Sequence, residues 1–165
     1  MSNLLSKIKR THITSEREVI IRQSYNADVT HKPKGFWYSV NGDWERWCRS
    51  EEPGWLKGYQ HEVTLGNENL LVIRTQKQLD RFHDEYSANT PPLKKKPYID
   101  WFKVARAYDG IEISQYFWDR RLDLNMLWYY TWDCASGCIW RPKGVKVKLI
   151  KKLPKPKGDR RARRI

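Results

Sequence analysis

The stretch THKPKGFWYSVNGDWERWCRS, residues Thr30 to Ser50, frames the choice of fold. KPKG at 32–35 carries turn chemistry, and FWYSV at 36–40 follows with the aromatic and β-branched residues that suit a pleated strand. Neighbouring strand side chains point to opposite faces, so Trp37 cannot face the same way as Phe36 and Tyr38. One face belongs to a core, and the other is a candidate stacking surface for a planar ring. Asp43 then stands where a helix cap belongs. The helix it predicts from Trp44 carries Trp44, Trp47 and Cys48 on one face and stops before Pro53. Core packing is the economical reading of that helix face, and of most of the nine tryptophans.

Working outward, EREVIIRQSYN (16–26) predicts a strand around its run of Val19, Ile20 and Ile21. Residues 1–16 predict an arm or a short amphipathic helix. Downstream, YQHEVTL (59–65) and NLLVIRT (69–75) predict strands joined as a hairpin through GNE. Thr75 and Gln78 form a capping-box pattern, and Leu79, Phe82 and Tyr86 follow at helical spacing, which predicts a helix over 76–86. Asp100 caps another helix, with Trp101, Val104, Ala105 and Tyr108 as its apolar face. IEIS (111–114) predicts a strand, and LWYYTWD (127–133) suits strand or helix. GCIW and VKVKLI flank RPKG as a final hairpin. This order predicts an α+β domain rather than a strict βαβ alternation.

At 165 residues the chain has room for one domain with extensions: an arm at 1–16, a core at 17–150 and a tail at 151–165. Three cysteines are too few, and odd in number, for a secreted disulfide framework. No apolar run of about 18 residues offers a membrane span. With no recognisable signal peptide, these features predict a cytoplasmic protein without membrane contact. The net charge of +13 is uneven: residues 141–165 hold twelve Lys and Arg against Asp159 alone. VKVKLI (145–150) alternates apolar residues with lysine, as a half-buried edge strand would. KKLPKPKGDRRARRI reads as a disordered basic tail. Its Lys151, Lys152, Lys155, Lys157, Arg160, Arg161, Arg163 and Arg164 are candidate nucleic-acid contacts through counterion release, unless the tail only solubilises the chain.

Chemistry-bearing residues are sparse. Glu112, between Ile111 and Ile113, points either to solvent by simple alternation or into a cleft. In a cleft its carboxylate would suit an oxocarbenium-like transition state or a ribose hydroxyl. Cys134 and Cys138 have no neighbouring ligands to complete a zinc site, so no metal is expected. Asp119 and Asp123 flank Arg120 and Arg121 and suit a solvated face. Phosphate-cradling glycine loops and the nucleophile-elbow motif do not occur.

The order of these segments resembles the ADP-ribosyltransferase superfamily. VIIRQS, with Arg22 and Ser24, precedes GFWYS, and YDGIEI with its lone Glu112 comes much later. GFWYS resembles the second motif of the toxin- and polymerase-like branches. The sequence departs from the family in two respects: no first-strand histidine is evident, and Gly110 stands where the Arg-Ser-Glu branch has Glu or Gln. The resemblance implies a compact split β-sheet with a few short helices, binding NAD as substrate. It implies Arg22 on the phosphates or ribose, Trp37 or Tyr38 stacked on nicotinamide, and Ser24 and Ser39 positioning the sugar. Glu112 would stabilise the cationic ribose as ADP-ribose passes to a macromolecular acceptor, with nucleic acid or a protein bound to it as candidates. Two other functions fit the same composition. One is a non-catalytic nucleic-acid-binding module; the other is a small inhibitor or adaptor of a host factor, of phage or mobile-element type.

Overall fold

The computed structural model describes residues 7–88 and 97–156. The strands are β1 (Arg10–Thr14), β2 (Val29–Thr30), β3 (Phe36–Val40), β4 (Tyr59–Thr64), β5 (Leu70–Ile73), β6 (Ser87–Ala88), β7 (Tyr98–Asp100), β8 (Gly110–Ile113), β9 (Ser136–Ile139) and β10 (Lys146–Lys152). The helices are α1 (Asp43–Glu51), α2 (Gln76–Tyr86), α3 (Trp101–Ala107), α4 (Trp118–Arg121) and α5 (Leu127–Tyr130). The chain is thus a mixed α/β protein with several short helices on one large mixed sheet. That sheet has seven strands in the order β10-β4-β1-β3-β9-β8-β5, and a three-stranded sheet runs β2-β7-β6. Only β5 and β8 pair in parallel within the large sheet.

Alternation along the strands divides the core in two. Phe36, Tyr38, Val40, Val63 and Ile139 form a cluster on one face. Ile111, Ile113 and Cys138 face the other way, into the larger cluster with Leu79, Phe82, Trp101, Trp128 and Trp132. Among the described residues no helix is long and apolar enough to cross a membrane.

Several expectations hold in detail. Helix α2 spans 76–86 with a complete capping box between Thr75 and Gln78, and Asp100 accepts from the Lys103 amide at the start of α3. β10 is an edge strand whose Val147 and Leu149 are half-buried between exposed lysines.

Others are corrected. The expected arm contains β1, a strand of the large sheet flanked by β3 and β4. Residues 16–26 form no strand: Ile20 is 90% exposed, while Val19 and Ile21 lean on the smaller cluster. The two expected hairpins are absent, because β5 pairs with β8, β9 inserts between β3 and β8, and β10 returns to β4. Gly42 occupies the N-cap of α1, and Asp43 instead accepts from the Ala135 amide at 2.6 Å. Trp44 and Trp47 are half-buried rather than core, because α1 buries the Glu45 and Cys48 face.

Candidate functional site

Glu112 belongs to a row of residues paired across three strands: Tyr38 lies opposite Gly137, and Gly137 lies opposite Glu112. Paired residues present their side chains on one face of a sheet. Gly137 presents none, and a Cβ there would fall inside the Tyr38 ring. The ring therefore lies across the glycine, and its hydroxyl donates to Glu112 Oε2 at 2.8 Å. Arg10, on β1, grips the same carboxylate as a fork, with Nε 2.7 Å from Oε2 and Nη2 3.2 Å from Oε1. The Ser114 hydroxyl adds a longer bond of 3.4 Å to Oε1. Glu112 is 1% exposed and its acceptor capacity is used by these donors. Burial, reinforced by the neighbouring carboxylate, pushes the Tyr38 phenol far above its usual pKa, so it remains a donor.

Tyr38 and Glu112 thus meet by direct contact on one face, whereas Trp37 emerges on the other. That other face carries a cleft of about 270 Å³. Thr11 and Ile13 of β1, Trp37 and Ser39 of β3, Ser136 of β9, and Trp44, Trp132, Asp133 and Cys134 are among the residues that line it. Trp37 meets Trp132 edge-on, with centroids 4.9 Å apart, and the Lys32 ammonium lies 5.4 Å from the Trp37 ring centre. Trp44 stacks almost flat on Trp47, at 5.1 Å and 10°.

Beneath the cleft lies a second buried carboxylate. Glu45 is 5% exposed and accepts from Thr11 Oγ1 at 2.6 Å, Ser39 Oγ at 3.1 Å and Gln60 Nε2 at 3.1 Å. All three donors are neutral. A hydroxyl has one proton, so Thr11 and Ser39, having donated inward, meet the cleft as acceptors. Ser39 Oγ already accepts from the Trp44 amide at 3.0 Å, which ties the helix to the strand. Burial, together with Asp43 and Asp133, pushes the Cys134 thiol up to about 12. It is protonated at neutral pH and a poor nucleophile.

A wider, more polar groove of about 780 Å³ adjoins these elements, lined by Arg22, Ser24, Tyr25, Lys34 and, again, Trp37. The structure therefore gathers Arg22, Ser24 and Trp37 around this groove, and Trp37, Tyr38 and Ser39 around the cleft. Glu112 lines neither of them. Lys151 and Lys152 end β10 and Lys155 follows it. Lys157, Arg160, Arg161, Arg163 and Arg164 lie outside the described residues. Sequence reasoning missed Arg10, Thr11, Glu45 and Trp132. For Glu45 a signal existed: it stands three residues before Cys48, on the helix face that must turn inward. No protein-family model, curated protein or solved structure matches this chain.

Proposed function

We propose that this chain is an ADP-ribosyltransferase-like protein that binds NAD, with nicotinamide in the aromatic cleft and the phosphates in the Arg22–Lys34 groove. One observation carries the reading: Trp37 lines both cavities, so an aromatic slot and a cationic groove meet at one ring. The slot, at about 270 Å³, is small for a whole dinucleotide but suited to one planar ring. Its indole walls attract a cation. The nicotinamide of NAD is a pyridinium, and it becomes neutral when the bond to C1′ breaks and the electron pair leaves with it. The Lys32 ammonium in the same cleft opposes that charge, and its repulsion is relieved as the ring becomes neutral.

Positive charge then appears on the ribose, and the carboxylate at hand in the cleft is Asp133, 25% exposed and 3.5 Å from Arg121. An acceptor nucleophile attacks C1′ and gives up its proton. In this reading Glu112 is a positioning residue, holding Tyr38 and Arg10 on the opposite face. The basic tail supplies phosphate contacts for a macromolecular acceptor.

The test is a thermal melt with NAD, ADP-ribose and nicotinamide, paired with an assay for released nicotinamide. A native-state ligand at a hundred times its Kd adds about 2.7 kcal/mol, which corresponds to roughly 5–10 °C for a chain of this size. NAD should produce that shift in the intact protein, and Trp37→Ala should abolish it. A melt indifferent to millimolar NAD sinks the reading.

A further inference from the structure

The edge strand β10 holds a row of charge that the cleft chemistry does not use. Lys146 lies opposite Thr64 and Lys148 opposite Glu62; a bulge after Leu149 then brings Lys151 opposite Gln60. In a regular ladder Ile150 would face Gln60, and Lys151 would turn to the apolar face with Val147 and Leu149. The bulge instead leaves Ile150 unpaired and 43% exposed, and keeps Lys151 in line. All three lysines are exposed. Among the described residues no carboxylate lies within ion-pair distance of their ammonium groups.

The register fixes where this row points. Glu62 is paired on its other side with Thr11, and Gln60 with Ile13, two of the three β1 residues that line the cleft. Lysine row and cleft therefore share one face of the sheet. Two strand spacings separate them, roughly 10 Å. Lys146 and Lys148, two residues apart, stand roughly 7 Å apart along the strand. Beyond β1 the same face offers the half-buried stacked indoles of Trp44 and Trp47.

We propose that Lys146, Lys148 and Lys151 bind the phosphate backbone of a single-stranded nucleic acid and lead it across β4 toward the aromatic cleft. A cationic track beside stacking rings is the general arrangement for holding single strands, whose bases are free to stack, whereas duplex bases are not. The proposal names the macromolecule served by the cleft and rests on the transfer reading for that role alone; the phosphate contact stands by itself.

The experiment measures binding of a fluorescein-labelled oligothymidylate to the full chain across a salt series. In the triple variant Lys146→Gln, Lys148→Gln, Lys151→Gln, the slope of log K against log salt should become shallower by about 2, since three phosphate contacts on a single strand are lost. At 0.1 M salt that amounts to roughly 100-fold weaker binding. An unchanged slope overturns the proposal. So does equal affinity for a duplex of the same length, or retention on phosphatidylserine vesicles without oligonucleotide binding. The NAD thermal shift is read on the same variant and should be intact. Loss of oligonucleotide binding in the variant, with no NAD shift even in the parent protein, would refute the transfer reading and leave the nucleic-acid contact standing.

Discussion

Tyr38 reaches Glu112 only because position 137 has no side chain, so three residues from three strands form one unit. Replacing Tyr38 by Phe removes a single bond to an ionised acceptor and leaves Arg10 in place. The expected loss is about 1.5–3 kcal/mol, with a fall in Tm of several degrees. Gly137→Ala should cost more, because the new methyl displaces the ring, ends the same bond and adds overpacking of about 1–3 kcal/mol. Chemical denaturation of the two variants checks the order, and an alanine milder than the phenylalanine would refute this account of the glycine. Both residues were legible in the sequence, though as parts of one NAD cleft rather than as a bonded pair. The glycine between them was not, since SG in WDCASGCIW is equally good turn chemistry until β9 is known to run between β3 and β8.

At the scale of elements, β1 binds both faces of the sheet together. Thr11 points to Glu45, while Arg10 and His12 point to the face of Glu112 and Phe36. His12 Nδ1 lies 2.6 Å from the Trp37 carbonyl oxygen, which can only accept, so Nδ1 carries the proton. Burial lowers the His12 pKa below 6.5; the Trp37 carbonyl opposes this and His61 adds to it. A group with a depressed basic pKa binds its extra proton more readily when unfolded. Stability is therefore full above about pH 6.5 and falls as pH drops from there through the folded pKa. His12→Gln should flatten that part of a Tm–pH curve, and an unaltered slope would assign it elsewhere. This strand also shows why some elements could be read and others not. Helix α2 announced itself because its cap and apolar face lie within twelve consecutive residues, 75–86. RTHIT has no apolar stripe of its own, and its partners Glu112, Glu45 and Ser39 are remote in sequence. The expected hairpins failed for the same reason: turn signals mark where the chain bends, while pairing is decided by which edges remain open.

Across the whole molecule, both faces of the large sheet carry core, and the proposed binding features gather on the face of the larger cluster. The Arg10–Glu112–Tyr38 unit lies on the face of the smaller cluster, and the Trp37 cleft with the lysine row of β10 on that of the larger. The two should therefore respond separately to loss of a carboxylate. Glu112→Gln leaves Arg10, 20% exposed, without its counter-charge, and removing one partner of a buried pair costs about 3–5 kcal/mol. Its Tm should fall by roughly 6–20 °C, while NAD still raises whatever Tm remains. Asp133→Asn touches a partly exposed pair with Arg121, worth about 1 kcal/mol or less, so its Tm should scarcely move. Yet nicotinamide release should fall on the order of 100-fold, the usual effect of losing one group that stabilises developing charge. If Glu112→Gln abolishes release while keeping the parent's Tm, the roles are reversed, and Glu112 rather than Asp133 does the chemistry.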